Sequence, residues 1–204
     1  VSRHPQTVRS ERTRVALRRA ATELFAAQGV EATSAEQIAE RAGVTLRTFY
    51  RHFPSKHDVL FADYDSGLQW FRKALAARPA GEPLVASVRA AIFAFPYDVQ
   101  AITQMAAFRA EQLDPERIVG HLRLVEADLA EAIVEHLEHR LEDAAGRRLD
   151  IVVTGRSIAA ALFGTMEVWM AADDRSLGDL ADLSHATLDA LEAGLDEQGM
   201  FRHR

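Results

Sequence analysis

Residues 45–56 read TLRTFYRHFPSK, which gathers three aromatic rings, two arginines, a histidine and a lysine in twelve positions. Leu46, Phe49, Tyr50 and Phe53 fall at offsets of three and four, the spacing that puts apolar side chains on one face of a helix. The opposite face carries Arg47, Thr48, Arg51 and His52. Guanidinium, hydroxyl and imidazole groups on a rigid rod can reach a phosphate oxygen or a base edge in a DNA groove.

The charge balance agrees with such a partner at one end of the chain. The 204 residues carry a formal net charge of −6, yet residues 1–56 hold ten arginines or lysines against five glutamates. A basic end on an acidic body favours a polyanion at that end only. The absence of cysteine removes disulfides, thiolate metal sites and thiol nucleophiles from consideration. No uninterrupted apolar run approaches the roughly 20 residues of a membrane span, and the first residues lack the apolar core of a signal peptide. The expected location is the cytoplasm, with no membrane partner.

The helix over 45–52 needs elements to hold it. A first helix is predicted from Glu11 to Gln28, where Leu17, Ala20, Ala21, Leu24 and Phe25 repeat at helical spacing and Gly29 supplies the stop. Ser34 with Gln37 three places on forms a capping-box pattern that starts a second helix ending near Ala42. Gly43 permits a sharp turn, and Thr45 caps the third helix. Two short helices joined by a glycine-bearing turn make a helix-turn-helix. A fourth helix is expected from Lys56 to Ala77, and ARPAGEP, residues 77–83, reads as a linker. Further helices are expected over about 84–95, 98–112, 116–144, 150–172 and 176–198, with no sustained strand alternation. The predicted fold is all-α with about nine helices: a three-helix head over 1–55 and a larger helical body over 56–204.

ATSAEQIAERAGVTLRTFYRHFPSKHDVL, together with ELFAAQG at the end of the first helix, closely resembles the DNA-binding segment of the tetracycline-repressor (TetR) family of bacterial transcription regulators. The resemblance implies roles for individual residues. Thr33 and Ser34, at a helix start, would grip a phosphate with hydroxyls and free amides. Leu46, Arg47 and Thr48, behind the capping Thr45, would enter the major groove. There Arg47 can pair with guanine, and Leu46 or the Thr48 methyl can meet a thymine methyl. Tyr50, His52 and Lys56 resemble the family's backbone anchors, and Arg3, Arg9, Arg12 and Arg14 are expected to form an arm along the duplex. A core ring with a wet hydroxyl is the plain alternative for Tyr50, and an ordinary exposed histidine is the alternative for His52.

The resemblance further implies a homodimer on double-stranded DNA carrying a palindromic operator, with binding that weakens steeply in salt. In TGRSIAAALFGTMEVWMAAD the small residues Gly155, Ala159, Ala160 and Gly164 recur about every four positions, so another helix can approach closely. Ile158, Leu162 and Phe163 add apolar area, as do Leu177, Leu180, Leu183, Leu188, Leu191 and Leu195 of the last helix. These two helices and their symmetry mates would form a four-helix bundle.

The body holds most of the large aromatics and methionines, a set that either fills a core or lines a pocket. Candidates for holding a small-molecule effector are Trp70, Phe93, Gln104, Met105, Phe108, Arg109, Met166 and Trp169, with His121, Arg123 and Glu167 as further polar candidates and Phe95 and Tyr97 as further rings. The EADLAEAIVEHLEHRL helix and the alanine-rich helix after it look like the subgroup whose bodies bind acyl-CoA-like ligands. Repression relieved by an apolar or amphipathic effector is the expected mode.

Catalysis finds little footing, so no enzyme, cofactor or metal is expected. There is no glycine-rich phosphate loop or nucleophile elbow, and Ser184, His185 and Asp189 are neighbours on one helix rather than a triad. His136 and His139 share a helix face, and a solvated polar face explains them better than a metal site. The alternative function is a helical small-molecule-binding protein or an enzyme without operator-specific DNA binding. It leaves the basic, capped helix-turn-helix unexplained.

Overall fold

In the computed structural model the backbone is described for residues 8–94, 99–172 and 176–197, and the side chains of 8, 9, 99–104, 107, 171 and 195–197 lie outside the description. The expectations for Arg3, Arg9, Phe95, Tyr97, Gln104 and Leu195 fall outside the described side chains. Among the described residues there are nine α-helices, one 3-10 segment and no strand. They are α1 (Val8–Gln28), α2 (Ala35–Arg41), α3 (Leu46–His52), the 3-10 segment His57–Phe61, α4 (Ala62–Ala76), α5 (Leu84–Phe93), α6 (Val99–Gln112), α7 (Pro115–Arg140), α8 (Arg148–Ala171) and α9 (Leu177–Glu197).

Most boundaries follow from local chemistry. Gly29 has φ +84° and Gly43 has φ +68°, values that side chains with a Cβ rarely adopt, and both end a helical run. Pro115 opens α7 at the first helical position, where its missing N–H costs nothing, while the Asp114 carboxylate accepts from the Glu116 amide at 2.8 Å. The helix expected to run to 144 stops at Arg140. There the Asp143 side chain accepts from the Gly146 amide at 3.1 Å and offers the chain a turn instead of a helical bond. The segment expected to begin α4 is a tight 3-10 stretch, and the α-helix starts at Ala62.

The chain divides into two compact units, one of Val1–Tyr64 with Asp98–Ile118 and the other of Asp65–Tyr97 with Val119–Arg204. The sequence places the division at 55/56. The first unit instead runs on through Val59, Leu60, Phe61 and Ala62, because these are buried with Leu17, Phe25, Ile38 and Phe49. It also takes in α6, whose Met105 joins the same cluster together with Leu113, while the Phe108 ring meets Phe25 edge-on at 6.2 Å.

Arg109 ties α6 into this unit. Its side chain is 5% exposed, and the guanidinium donates to Leu60 O at 2.6 Å and to the carboxylate of Asp63, a side chain 9% exposed, at 2.8 Å. It also lies 4.6 Å from the centre of the Tyr64 ring, and burial pushes the Tyr64 phenol pKa up.

The second unit is built on Phe71, Leu75, Val88, Ile133, Ile158, Ala159 and Leu188, drawn from α4, α5, α7, α8 and α9. A Cβ at Gly155 would stand 2.7 Å from a Val134 methyl and 3.2 Å from Ala130 O, so this glycine lets α7 and α8 pack closely. Helices α8 and α9 meet at Thr165 and Thr187, whose hydroxyls are 2.6 Å apart. The linker-like stretch is pinned rather than loose. Arg78 binds the Glu82 carboxylate, Ser87 Oγ donates to it at 2.7 Å, and Arg140 donates to Ala80 O and Glu82 O. The Arg78 bond, followed by that from Ser87, holds the Glu82 pKa at about 2.

Arg109→Met is expected to destabilise the protein by about 3–5 kcal/mol, because it leaves the Asp63 carboxylate buried without its partner. Chemical denaturation checks this. The double variant Arg109→Met, Asp63→Asn should recover part of the loss.

Candidate nucleic-acid interface

The helix-turn-helix is held by bonds that its own sequence supplies. Ser34 Oγ accepts from the Gln37 amide at 3.2 Å while Gln37 Oε1 accepts from the Ser34 amide at 2.8 Å, a complete capping box on α2. Gln28 at the end of α1 donates to Ala32 O at 3.0 Å and to Gln37 Oε1 at 3.2 Å, which fixes the turn between α1 and α2. Past Gly43, the Val44 amide donates to Ala39 O at 2.9 Å, and Thr45 Oγ1 accepts from the Thr48 amide at 3.2 Å to start α3.

Helix α3 presents a divided surface. Phe49 is fully buried and packs 5.9 Å from Phe53, centre to centre, while Thr45, Arg47, Tyr50 and Arg51 are exposed. Tyr50 is 51% exposed, so its ring is not core. Leu46 is half-buried and packs on the head core, and the Thr48 hydroxyl lies 3.0 Å from that of Thr45. The exposed edge therefore begins with a hydroxyl and continues with two guanidiniums and a phenol ring.

Other residues named from the sequence sit differently. Thr33 is 2% exposed and its hydroxyl donates to Gly29 O at 2.7 Å, so it fastens the turn from inside. Arg14 is 6% exposed with its guanidinium 5.3 Å from the centre of the Phe53 ring, which makes it an internal residue and not part of an arm. His52 is half-buried, and its pKa is lowered by burial first and then by Arg51 and Arg14.

Lys56 Nζ donates to Val30 O at 2.8 Å and Glu31 O at 3.0 Å, bonds that tie the start of the 3-10 segment to the turn between α1 and α2. Glu31 and His57 join this cluster at a separation of 3.2 Å. Neither was singled out from the sequence, because no local pattern brings residues 25 positions apart together.

A groove of about 490 Å³ runs along α1, lined by Arg12, Val15, Ala16, Arg19, Glu23 and Arg41 among others. Glu23 bridges Arg19 at 3.0 Å and Arg41 at 2.7 Å, and these two bonds, Arg19 first, lower its pKa.

The effector candidates are divided between the units. Met105, Phe108 and Arg109 belong to the first, where Met105 and Arg109 are buried. Trp70, Phe93, Met166 and Trp169 belong to the second. Phe93 stacks on the His185 ring at 4.0 Å and 7°, while Arg89 donates to His185 Nδ1 at 2.9 Å. Trp169 Nε1 donates to Ser176 O at 2.8 Å. Met166 is half-buried and Trp70 is 38% exposed. His136 and His139 have partners of their own in Arg140 and Glu135 O.

Residues 17–62 match the model of bacterial regulatory proteins of the tetR family. Over 71 residues the chain is 52% identical to the HTH-type transcriptional regulator TcmR of Streptomyces glaucescens, a match that covers 35% of this chain and 31% of that one. The chain thus spans about a third of the length of the curated relatives it matches. Similarity in fold extends further. SmeT, the repressor of the Stenotrophomonas maltophilia multidrug efflux pump SmeDEF, is 22% identical with a TM-score of 0.56 over 89% of both chains. Thermus thermophilus FadR, solved in complex with lauroyl-CoA, is 24% identical with a TM-score of 0.53 over 94% of this chain and 96% of that one. The helix-turn-helix segment is thus similar to that of the tetR family of bacterial regulatory proteins, and the fold of the described residues is similar to that of SmeT and FadR.

Proposed function

We propose that the protein is a DNA-binding transcriptional regulator: a homodimeric repressor that an apolar or amphipathic small molecule releases from a palindromic operator. One observation carries this reading. On α3 the capped start and the buried Phe49 turn Thr45, Arg47, Tyr50 and Arg51 outward on a single edge. That edge suits a major groove, with Arg47 near the helix start placed for a guanine and Tyr50 and Arg51 placed for the flanking phosphates. Ser34 and Lys56 flank it as further phosphate contacts.

Dimerisation is assigned to α8 and α9. Along α8, Leu149, Val153, Ala160 and Val168 are exposed at helical spacing, with Leu149 at 76% and Val168 at 66%. The α8 helix is also the one helix among the described residues long and apolar enough to cross a membrane, yet only 22% of its apolar window is buried. A second copy is the cover proposed here. Of the four small residues in the α8 stripe, Gly155 and Ala159 face the unit's own interior, and Ala160 and Gly164 are left for the partner. Two heads related by the twofold axis would meet half-sites roughly 34–36 Å apart.

The effector is proposed to bind in the second unit near Trp70, Phe93, Met166 and Trp169. The same-fold FadR, solved with lauroyl-CoA, supports an acyl-CoA-like chemistry. Helix α4 is continuous from residue 62 of the first unit to residue 76 of the second, so a shift along it can reach the head. A full 99:1 reversal would require the ligand to prefer the released state by about 5.5 kcal/mol.

Binding to a palindrome from the protein's own upstream region, followed by fluorescence anisotropy, tests the reading. Arg47→Ala should weaken specific binding by about 1–3 kcal/mol and relax one base position, whereas equal loss on every sequence would reassign Arg47 to phosphate. A Cβ at Gly164 meets no atom within 4 Å in the protomer, so Gly164→Trp should leave the helical content intact and shift sedimentation from dimer to monomer. An unshifted dimer would move the interface elsewhere. Lauroyl-CoA should raise the unfolding temperature in a concentration-dependent way. No shift would remove long acyl thioesters from the effector class.

A further inference from the structure

We infer that Glu31 is a built-in competitor of DNA phosphate, its carboxylate covering the donors of Lys56 and His57 that a backbone phosphate takes when the head meets a duplex. The inference deepens the DNA-binding reading above and rests on it. An ammonium has three N–H donors. Lys56 commits two of them, to Val30 O at 2.8 Å and Glu31 O at 3.0 Å, and these bonds hold the cation in one place beside the end of α3. Among the described residues the third has no hydrogen-bond acceptor. The Glu31 carboxylate stands 3.9 Å away, close enough for an ion pair and too far for a hydrogen bond. Its other oxygen lies 3.2 Å from His57 Nε2.

Exposure shows which member of the cluster can move. The Lys56 and His57 side chains are 19% and 23% exposed, while that of Glu31 is 76% exposed. A fixed pair of donors is thus covered by an anion that can swing into water. The His57 bond and then the Lys56 charge lower the Glu31 pKa, which agrees with a carboxylate that stays ionised at this post.

A phosphate presents the same charge and oxygen acceptors as the carboxylate, so it can exchange for it on the same two donors. The competition weakens attachment to every duplex alike and leaves the base contacts of α3 untouched. Glu31 therefore acts as a specificity-determining residue: by lowering the sequence-independent part of the affinity, it lets base readout decide where the protein rests.

The test uses the full chain and a mixed-sequence duplex, with anisotropy titrations over a range of salt. Glu31→Gln should tighten binding roughly three- to tenfold and steepen the slope of log K against log salt by up to about 0.9 per head. The gain should shrink clearly in a Lys56→Met background, where only the His57 donor is left to a phosphate. It should also exceed clearly the gain from Glu40→Gln, an exposed glutamate of the same head for which no bond to Lys56 is found. Unchanged or weaker binding by Glu31→Gln, a gain equal to that of Glu40→Gln, or a gain undiminished by Lys56→Met would each overturn the inference. Circular dichroism accompanies each variant, with Glu31→Ala as a second substitution; if both unfold, Glu31 serves stability and the inference fails. Should the unaltered protein bind no duplex even in dilute salt, the DNA-binding reading itself falls and takes this inference with it.

Discussion

A helix of seven residues has almost no stability of its own, since nucleation costs more than so few hydrogen bonds return. Helix α3 exists because Phe49 is anchored in the core that α1, α2 and the 3-10 segment share, and because Thr45 closes its first turn. Everything proposed for the protein depends on that anchor. With Phe49 inward, the helix has one rotation available, and that rotation turns Arg47, Tyr50 and Arg51 to solvent. The caps and turns around it then serve a single end, which is to hold a short basic rod at a defined angle.

Cations in this chain divide into those spent inside and those left outside. Arg14 over Phe53 and Arg109 on Asp63 are structural. Arg47 and Arg51 face outward, and Lys56 is shared between the two roles. With Arg14 internal and Lys56 partly committed, the excess of positive charge in the first 56 residues overstates what a duplex would meet. Placement decides the field at the surface more than the sum does.

Sequence pattern made the head legible because its signals are local. The capping box of Ser34 and Gln37, the positive φ at Gly29 and Gly43, and the apolar spacing around Phe49 each lie within a few residues. Helix periodicity likewise located α5 to α9 within a few residues, except where Asp143 ends α7 early. What stayed hidden depends on contacts across long separations. Nothing near Arg109 announces that its partner is Asp63, nor does anything near Lys56 point to Val30 O. For the same reason the large side chains of the body could be listed but not sorted, and Met105 and Phe108 proved to belong with the head. The α8 stripe shows the same limit at smaller scale. Four small residues look alike in sequence, yet Gly155 and Ala159 face inward while Ala160 and Gly164 face out.

Amide hydrogen exchange on the full chain, with and without a mixed-sequence duplex in dilute salt, tests the central claim most directly. The account predicts slowed exchange around Ser34, along residues 45–52 and at Lys56, with α5 and α7 unchanged. Protection absent from residues 45–52, or concentrated in the second unit, would contradict it.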